Sequence, residues 1–235
     1  MSAAVELDCL YYNAPSGPAD ILLVMLPGAG IEAAEFAEQG MVAAVHGLGL
    51  AVDIVVAHPD LGLYLDDGVT EALHRTVVGP ALARGHTRIW LLGISLGGMG
   101  ALLYASAYPT NVEGLVLLAP FLGTKGTTAV LARAGGLAAW SAAGSTGSST
   151  ITQPEQRLLL WLQTHLASAS QAPALYLGYG RQDRFAAAHK MLAEQLPQER
   201  VAVLDGGHDW PSWTALWRQL LVRPPFSGAG RSVEA

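Results

Sequence analysis

The chain has 235 residues, 51% of them hydrophobic and only 14% charged, with 27 glycines, 13 prolines and one cysteine. A core-forming composition of this kind excludes disorder as the main state, and the length suits a single α/β domain. The net charge of −6, from 13 basic residues against 19 acidic, comes without a Lys/Arg cluster and so argues against nucleic acid as a partner.

In chain order, apolar runs of strand length alternate with helical patterns. Val5–Tyr12 reads as an edge strand, and Ile21–Leu26 as a core strand followed by a helix over Glu32–His46. Strands follow at Ala51–Ala57, Arg88–Leu92 and Gly114–Ala119, separated by helices over Val69–Ala83 and Leu96–Ala107. The last strands are Ala174–Gly178 and Val201–Leu204, and the last helices Glu155–Ala169, Phe185–Leu196 and Ser212–Leu221. Each run is bounded by Gly, Pro, Asp or Asn, and the alternation predicts a mostly parallel sheet with helices on both faces. The stretch Gly123–Ile151, rich in Gly, Ser, Thr and Ala, breaks this rhythm. It is expected to form a short cap, with a plain surface loop as the alternative. Residues 1–223 are expected to form one domain and 224–235 a flexible tail.

No apolar run approaches the roughly 18 residues of a membrane span, and the first ten residues lack a basic and apolar leader pattern. The expected setting is cytoplasmic. Cys9 excludes an internal disulfide and a metal–thiolate cluster, and is expected as a small buried side chain. Sparse charge leaves homo-oligomerisation open.

The segment Ile89–Gly98, IWLLGISLGG, contains Gly-x-Ser-x-Gly at Gly93, Ser95 and Gly97. An apolar strand before it and a helix after it make the sharp turn that raises a serine hydroxyl above a sheet. The alternative is a glycine-rich turn with a capping serine. Such a nucleophile needs a base from another loop at the same sheet edge. His46, His74, His165 and His189 fall in helical patterns and His86 at the opposite edge, which leaves His58 and His208 after strands. Two glycines free the His208 loop to project, so His208 is the candidate base and His58 a loop residue. Asp183 follows the strand at Ala174, and it completes the chain order Ser, Asp, His. The alternatives for Asp183 are capping its own helix or pairing with Arg181 or Arg184. No Asp or Glu occurs between Gly114 and Pro154, so the other common location for the acid is empty. For the oxyanion hole the candidates are the N–H groups of Leu96 and of Ala29 in the LPGAG loop. That loop lacks the third glycine or the lysine of a phosphate cradle.

These four motifs together, the LPGAG loop, GISLGG elbow, GRQD loop and GGHDW loop, resemble the α/β-hydrolase superfamily over about Ile21 to Leu221. The chain is similar in size to its compact members, the dienelactone-hydrolase-like and short-chain carboxylesterase-like enzymes. The GGHDW loop followed by Trp213 resembles the group containing feruloyl-esterase-like proteins. Pro27 departs from the pattern, standing where many members have His.

The resemblance implies an α/β-hydrolase fold and a serine esterase that cleaves carboxylic esters through an acyl-enzyme, with no cofactor and no metal. Thioester hydrolysis or acyl transfer on the same triad is the alternative, then a non-catalytic ligand-binding protein. Met99, Phe121, Trp140 and Trp210 are expected to line a pocket for an apolar acyl or aryl ester, with Trp161 and Trp213 as further candidates. Arg181 and Arg184 are read as solvated surface residues that could instead receive a substrate anion.

Overall fold

The computed structural model describes residues 6–142, 151–168 and 172–223. The expected tail at 224–235 and part of the expected cap, 143–150, lie outside the described residues. The strands are β1 (Asp8–Tyr12), β2 (Ile21–Leu26), β3 (Val52–His58), β4 (Arg88–Ile94), β5 (Gly114–Leu118), β6 (Ala174–Gly180) and β7 (Val201–Leu204). The α-helices are α1 (Glu35–Glu38), α2 (Met41–His46), α3 (Leu61–Leu65), α4 (Val69–Leu73), α5 (Gly79–Ala83), α6 (Leu96–Ala107), α7 (Lys125–Arg133), α8 (Gln153–Ala167), α9 (Ala186–Ala193) and α10 (Trp210–Leu221).

Among the described residues, all seven strands join one sheet in the order β1-β3-β2-β4-β5-β6-β7. β1 runs antiparallel to β3, with Asp8 opposite His58, and every other pairing is parallel. Side chains alternate along each strand, so the sheet sorts its apolar residues into two cores. Leu22, Val24 and Leu26 of β2 face one core with Leu91, Leu117 and Leu177, against α4, α5, α6, α8 and α9. Leu23, Met25, Ile54, Leu92 and Val116 face the other, against α1, α2 and α10. Strand β2 is buried along its whole length, as a parallel strand covered on both faces must be.

Some elements differ from the sequence reading for a local reason. The helix expected over Glu32–His46 is two short ones, because Gly40 between them has φ 76°, outside the helical region and open to glycine. Between α4 and α5 the helix makes a π turn over His74–Val78, with the Gly79 N–H bonded to the His74 carbonyl. Pro80 follows at once and has no N–H to continue the ordinary ladder. Within the stretch expected as a cap, α7 forms, its first turn capped by Thr124, whose side chain accepts from the Thr127 N–H. Cys9 is half-buried on the edge strand. No helix among the described residues is long and apolar enough to cross a membrane.

Candidate active site

The sheet topology selects one edge for ligand binding. From β2 the chain moves to β3 on one side and then crosses to β4 on the other, so a crevice opens at the carboxyl ends of β2 and β4. Leu26 and Gly93 are paired there, which sets the LPGAG loop beside the turn that carries Ser95. The turn is tight enough to require its glycines. A Cβ on Gly97 would lie 2.1 Å from the Leu26 carbonyl oxygen, and one on Gly93 would lie 2.3 Å from the Gly97 oxygen. Gly97→Ala is therefore expected to destabilise the fold by about 3 kcal/mol or more, since both partners are backbone and cannot rotate away. A urea midpoint equal to that of the parent would contradict this packing.

Ser95 has φ 51° and ψ −113°, a strained backbone for a residue with a Cβ. Four backbone hydrogen bonds hold it: its N–H donates to the Leu118 carbonyl, and its own carbonyl accepts from the N–H of Gly98, of Met99 and of Phe121. The side chain is thereby turned toward the histidine loop after β7. His208 Nε2 lies 2.9 Å from Ser95 Oγ, and His208 Nδ1 lies 2.8 Å from Asp183 Oδ2. A carboxylate can only accept, so Nδ1 carries the proton and Nε2 presents a lone pair to the serine hydroxyl.

The acid and histidine loops are locked together before any side chain meets. The Arg181 N–H donates to the Leu204 carbonyl and the Gln182 N–H to the Gly206 carbonyl. The Asp183 side chain has no solvent exposure and that of His208 is 10% exposed. Burial favours the neutral Asp183 carboxyl, but hydrogen bonds from His208 and from the Phe185 N–H outweigh it and hold the pKa below the usual carboxylate range. Asp183 thus stays charged beside the imidazole. Asp205 pairs instead with Arg181 at 3.0 Å, and Asp209 caps α10 through the Ser212 N–H.

Gly28 and Ile31 close a β-turn through a hydrogen bond from the Ile31 N–H to the Gly28 carbonyl. Ala29 is its second residue and Gly30, with φ 75°, its third, so the turn itself makes no use of the Ala29 N–H. Leu96 opens α6, where helix geometry leaves the N–H without an acceptor in the helix. Ala29 and Leu96 both line a cavity of about 450 Å³ together with Ser95, Met99 and Phe121.

Trp140 and Trp210 do not line it, contrary to the sequence reading. Trp140 is buried in the core on the α8 side, and the Gln163 side-chain amide ties down its carbonyl. Trp210 opens α10 over the other face, where it meets Phe36 edge-on and donates to Glu35 Oε2 at 2.9 Å. Trp213 stands edge-on to the His208 ring at 5.2 Å, and Trp161 stacks on His165.

Several wall residues carry no motif of their own. Leu61, Tyr64 and Leu65 come from α3, and Thr124, Thr152, Pro154 and Glu155 from the region around α7 and α8. Phe185 connects the cavity to the relay, its ring 5.7 Å from Phe121 and 5.3 Å from His208. Glu155 is 2% exposed. It accepts from the N–H groups of Thr124 and Thr152 and from the Thr127 hydroxyl, which ties the start of α7 to the start of α8. His189 is wholly buried behind Asp183, with its Nε2–H donating to the Pro120 carbonyl at 2.9 Å. Burial pushes its pKa down, against the pull of the Pro120 carbonyl and the Asp183 charge, so it is neutral.

Residues 46–166 match the family model Hydrolase_4, described as serine aminopeptidase, S33. The chain belongs to this family of α/β-hydrolases. No curated protein matches the hydrolase by sequence. Among solved structures it is similar to the S-formylglutathione hydrolase FrmB of Staphylococcus aureus, with a TM-score of 0.59 at 14% identity over 92% of this chain and 94% of that one. FphF, described as a fluorophosphonate-binding serine hydrolase of Staphylococcus aureus, matches with a TM-score of 0.56 at 15% identity over 91% and 96%. A thioesterase domain from the curacin biosynthetic pathway matches with 0.56 at 13% identity over 91% and 94%. At these identities the likeness is one of fold.

Proposed function

We propose that the protein is a serine hydrolase that cleaves carboxylic esters with an apolar acyl group through an acyl-enzyme. The observation that carries this reading is the relay Asp183–His208–Ser95 at 2.8 and 2.9 Å, which opens into a cavity walled by Leu61, Leu65, Met99 and Phe121. In this mechanism His208 Nε2 takes the proton of Ser95 as Oγ attacks the ester carbonyl carbon. The carbonyl oxygen becomes an oxyanion and receives the N–H groups of Leu96 and Ala29. The acyl C–O bond then breaks, and the alcohol leaves with the proton that His208 returns. Water, deprotonated by His208, attacks the acyl-enzyme, and the carboxylic acid departs as Ser95 regains its proton. Asp183 keeps the imidazole in the tautomer that both half-reactions need. The single sheet domain carries the relay, and α7 with the turn after it forms a small cap beside the cavity.

The family model is described as an aminopeptidase, yet an ester suits this cavity better than a peptide N-terminus. A free amine calls for a receptive carboxylate. Glu155 is the one carboxylate among the described wall residues, and both of its oxygens already accept from Thr124, Thr127 and Thr152. Thioesters are a sound second substrate class, because an S-formylglutathione hydrolase and a thioesterase domain share the fold.

The test is covalent labelling by a fluorophosphonate probe, read by intact mass on the parent and on Ser95→Ala. A single adduct on the parent and none on the variant is the expected result, and turnover of matched oxygen esters and thioesters then ranks the substrate classes. A folded parent that takes up no probe would overturn the reading.

A further inference from the structure

The described wall of the cavity beside Ser95 carries one cationic side chain. Among the described wall residues Arg184 is the only basic one, in a chain whose net charge is −6. Other arginines are neutralised where they stand: Arg88 by Glu113, Arg157 by Asp67, and Arg181, three residues away, by Asp205. Arg184 has no carboxylate within ion-pair distance among the described residues. Its guanidinium carbon lies 5.0 Å over the ring of Phe185, a cation–π contact that holds the group while leaving its donors open. The same ring touches the imidazole of His208, with centroids 5.3 Å apart. The charge therefore stands one aromatic ring from the group that hands a proton to the departing alcohol, while the leucines of α3 line the cavity with no charge of their own.

From this arrangement we infer that the preferred substrates carry an anion, a carboxylate or a phosphate, on the leaving group, and that Arg184 binds it. The inference rests on the serine-ester reading of the site. An acidic protein repels anions at long range, and a cation without a carboxylate partner on the cavity wall offsets that repulsion locally. A planar guanidinium also suits both anions, since each offers two oxygens to its fork. Arg184 is then a specificity-determining residue, and Phe185 is the platform that positions it.

The experiment compares butanoyl esters of three phenols of similar leaving ability: para-hydroxyphenylacetamide, para-hydroxyphenylacetate and para-hydroxybenzylphosphonate. The expected result is a kcat/KM about tenfold higher for an anionic arm than for the amide arm, carried by KM, as suits a charge-assisted contact at a partly wet site. Arg184→Gln should bring that ratio close to one, and Arg184→Lys should restore part of it. Salt at about 0.5 M should erode the preference by screening. Arg181→Gln, which removes the neighbouring paired cation, should leave the ratio where it was. The order of the carboxylate and phosphonate arms identifies the anion. Phenyl hemisuccinate against phenyl butanoate places the same charge on the acyl side. A preference found only there, or a ratio that survives Arg184→Gln, or one that falls equally in Arg181→Gln, would overturn the inference. Turnover of the amide arm without any anionic preference would remove this inference alone, whereas turnover of no arm would remove the ester reading as well.

Discussion

Ser95→Ala and His208→Ala are each expected to lower kcat on an ester by about 10⁵ to 10⁶ while the protein stays folded. Ser95 Oγ is 2.9 Å from His208 Nε2, so deleting the hydroxyl removes the atom that attacks, and deleting the ring removes its proton acceptor. Neither change opens the core. The elbow backbone is held by bonds of Ser95 N–H and C=O to Leu118, Gly98, Met99 and Phe121, all of which alanine keeps. The two losses should not add, because serine without its base and base without its serine disable the same step. The double variant should therefore match either single one, at the residual rate supplied by the oxyanion donors and binding. Steady-state kinetics with an unchanged urea midpoint checks this. Either variant keeping more than a tenth of the parent activity would remove its residue from the mechanism.

The relay was legible in the sequence because each member follows a strand and every parallel strand ends at the same edge. Ser95 after β4, Asp183 after β6 and His208 after β7 could be placed together from strand order alone. Gly93, Gly97, Gly180 and Gly206 also announce the close approaches: a Cβ on Gly180 would lie 2.1 Å from the Gly206 oxygen. The cavity walls were less legible. Periodicity says that a residue is apolar and on a helix, but not which face of the sheet its helix covers. Trp210 follows His208 by two positions, yet α10 turns it toward Phe36 on the far face. Leu61 and Leu65 sit on α3, a helix absent from the sequence reading, and are exposed. For Glu155 and His189 the sequence pattern indicates a place on a helix and nothing more. A buried carboxylate joining two helix starts, or an imidazole holding the Pro120 carbonyl, depends on partners far away in the chain. One signal for Glu155 was present: Thr152 stands three residues before it, the spacing of a capping box.

Asp183→Asn is expected to lower kcat by about 10⁴, the scale of a tautomer error in a serine triad, in a protein that still folds at neutral pH but with a lower urea midpoint, since the contribution of the charge is gone. Asp183 Oδ1 accepts from the Phe185 N–H at 2.8 Å and Oδ2 from His208 Nδ1 at 2.8 Å. Asparagine has one carbonyl oxygen for these two donors. If that oxygen keeps the Phe185 N–H, its NH₂ faces Nδ1, which must then offer a lone pair. The imidazole proton moves to Nε2 and points at Ser95 Oγ, so the base can no longer accept. The same substitution separates two acid-sensitive contributions to stability. His189 is pushed down by burial, so the unfolded chain takes up its proton first. Its contribution is full above the ordinary histidine value of about 6.5 and is lost as pH falls toward the lower folded value. Asp183, in which the hydrogen bonds from His208 and Phe185 overcome the cost of burial, contributes fully above the ordinary aspartate value of about 3.9 and loses that as pH falls through its folded value. Urea midpoints from neutral pH downward should therefore fall in two stages for the parent, the first through the histidine range and the second through the carboxylate range. Asp183→Asn should keep the first stage and blunt the second. A variant whose midpoint falls as steeply as the parent in the carboxylate range would mean that the charge on Asp183 is not what the folded relay stabilises.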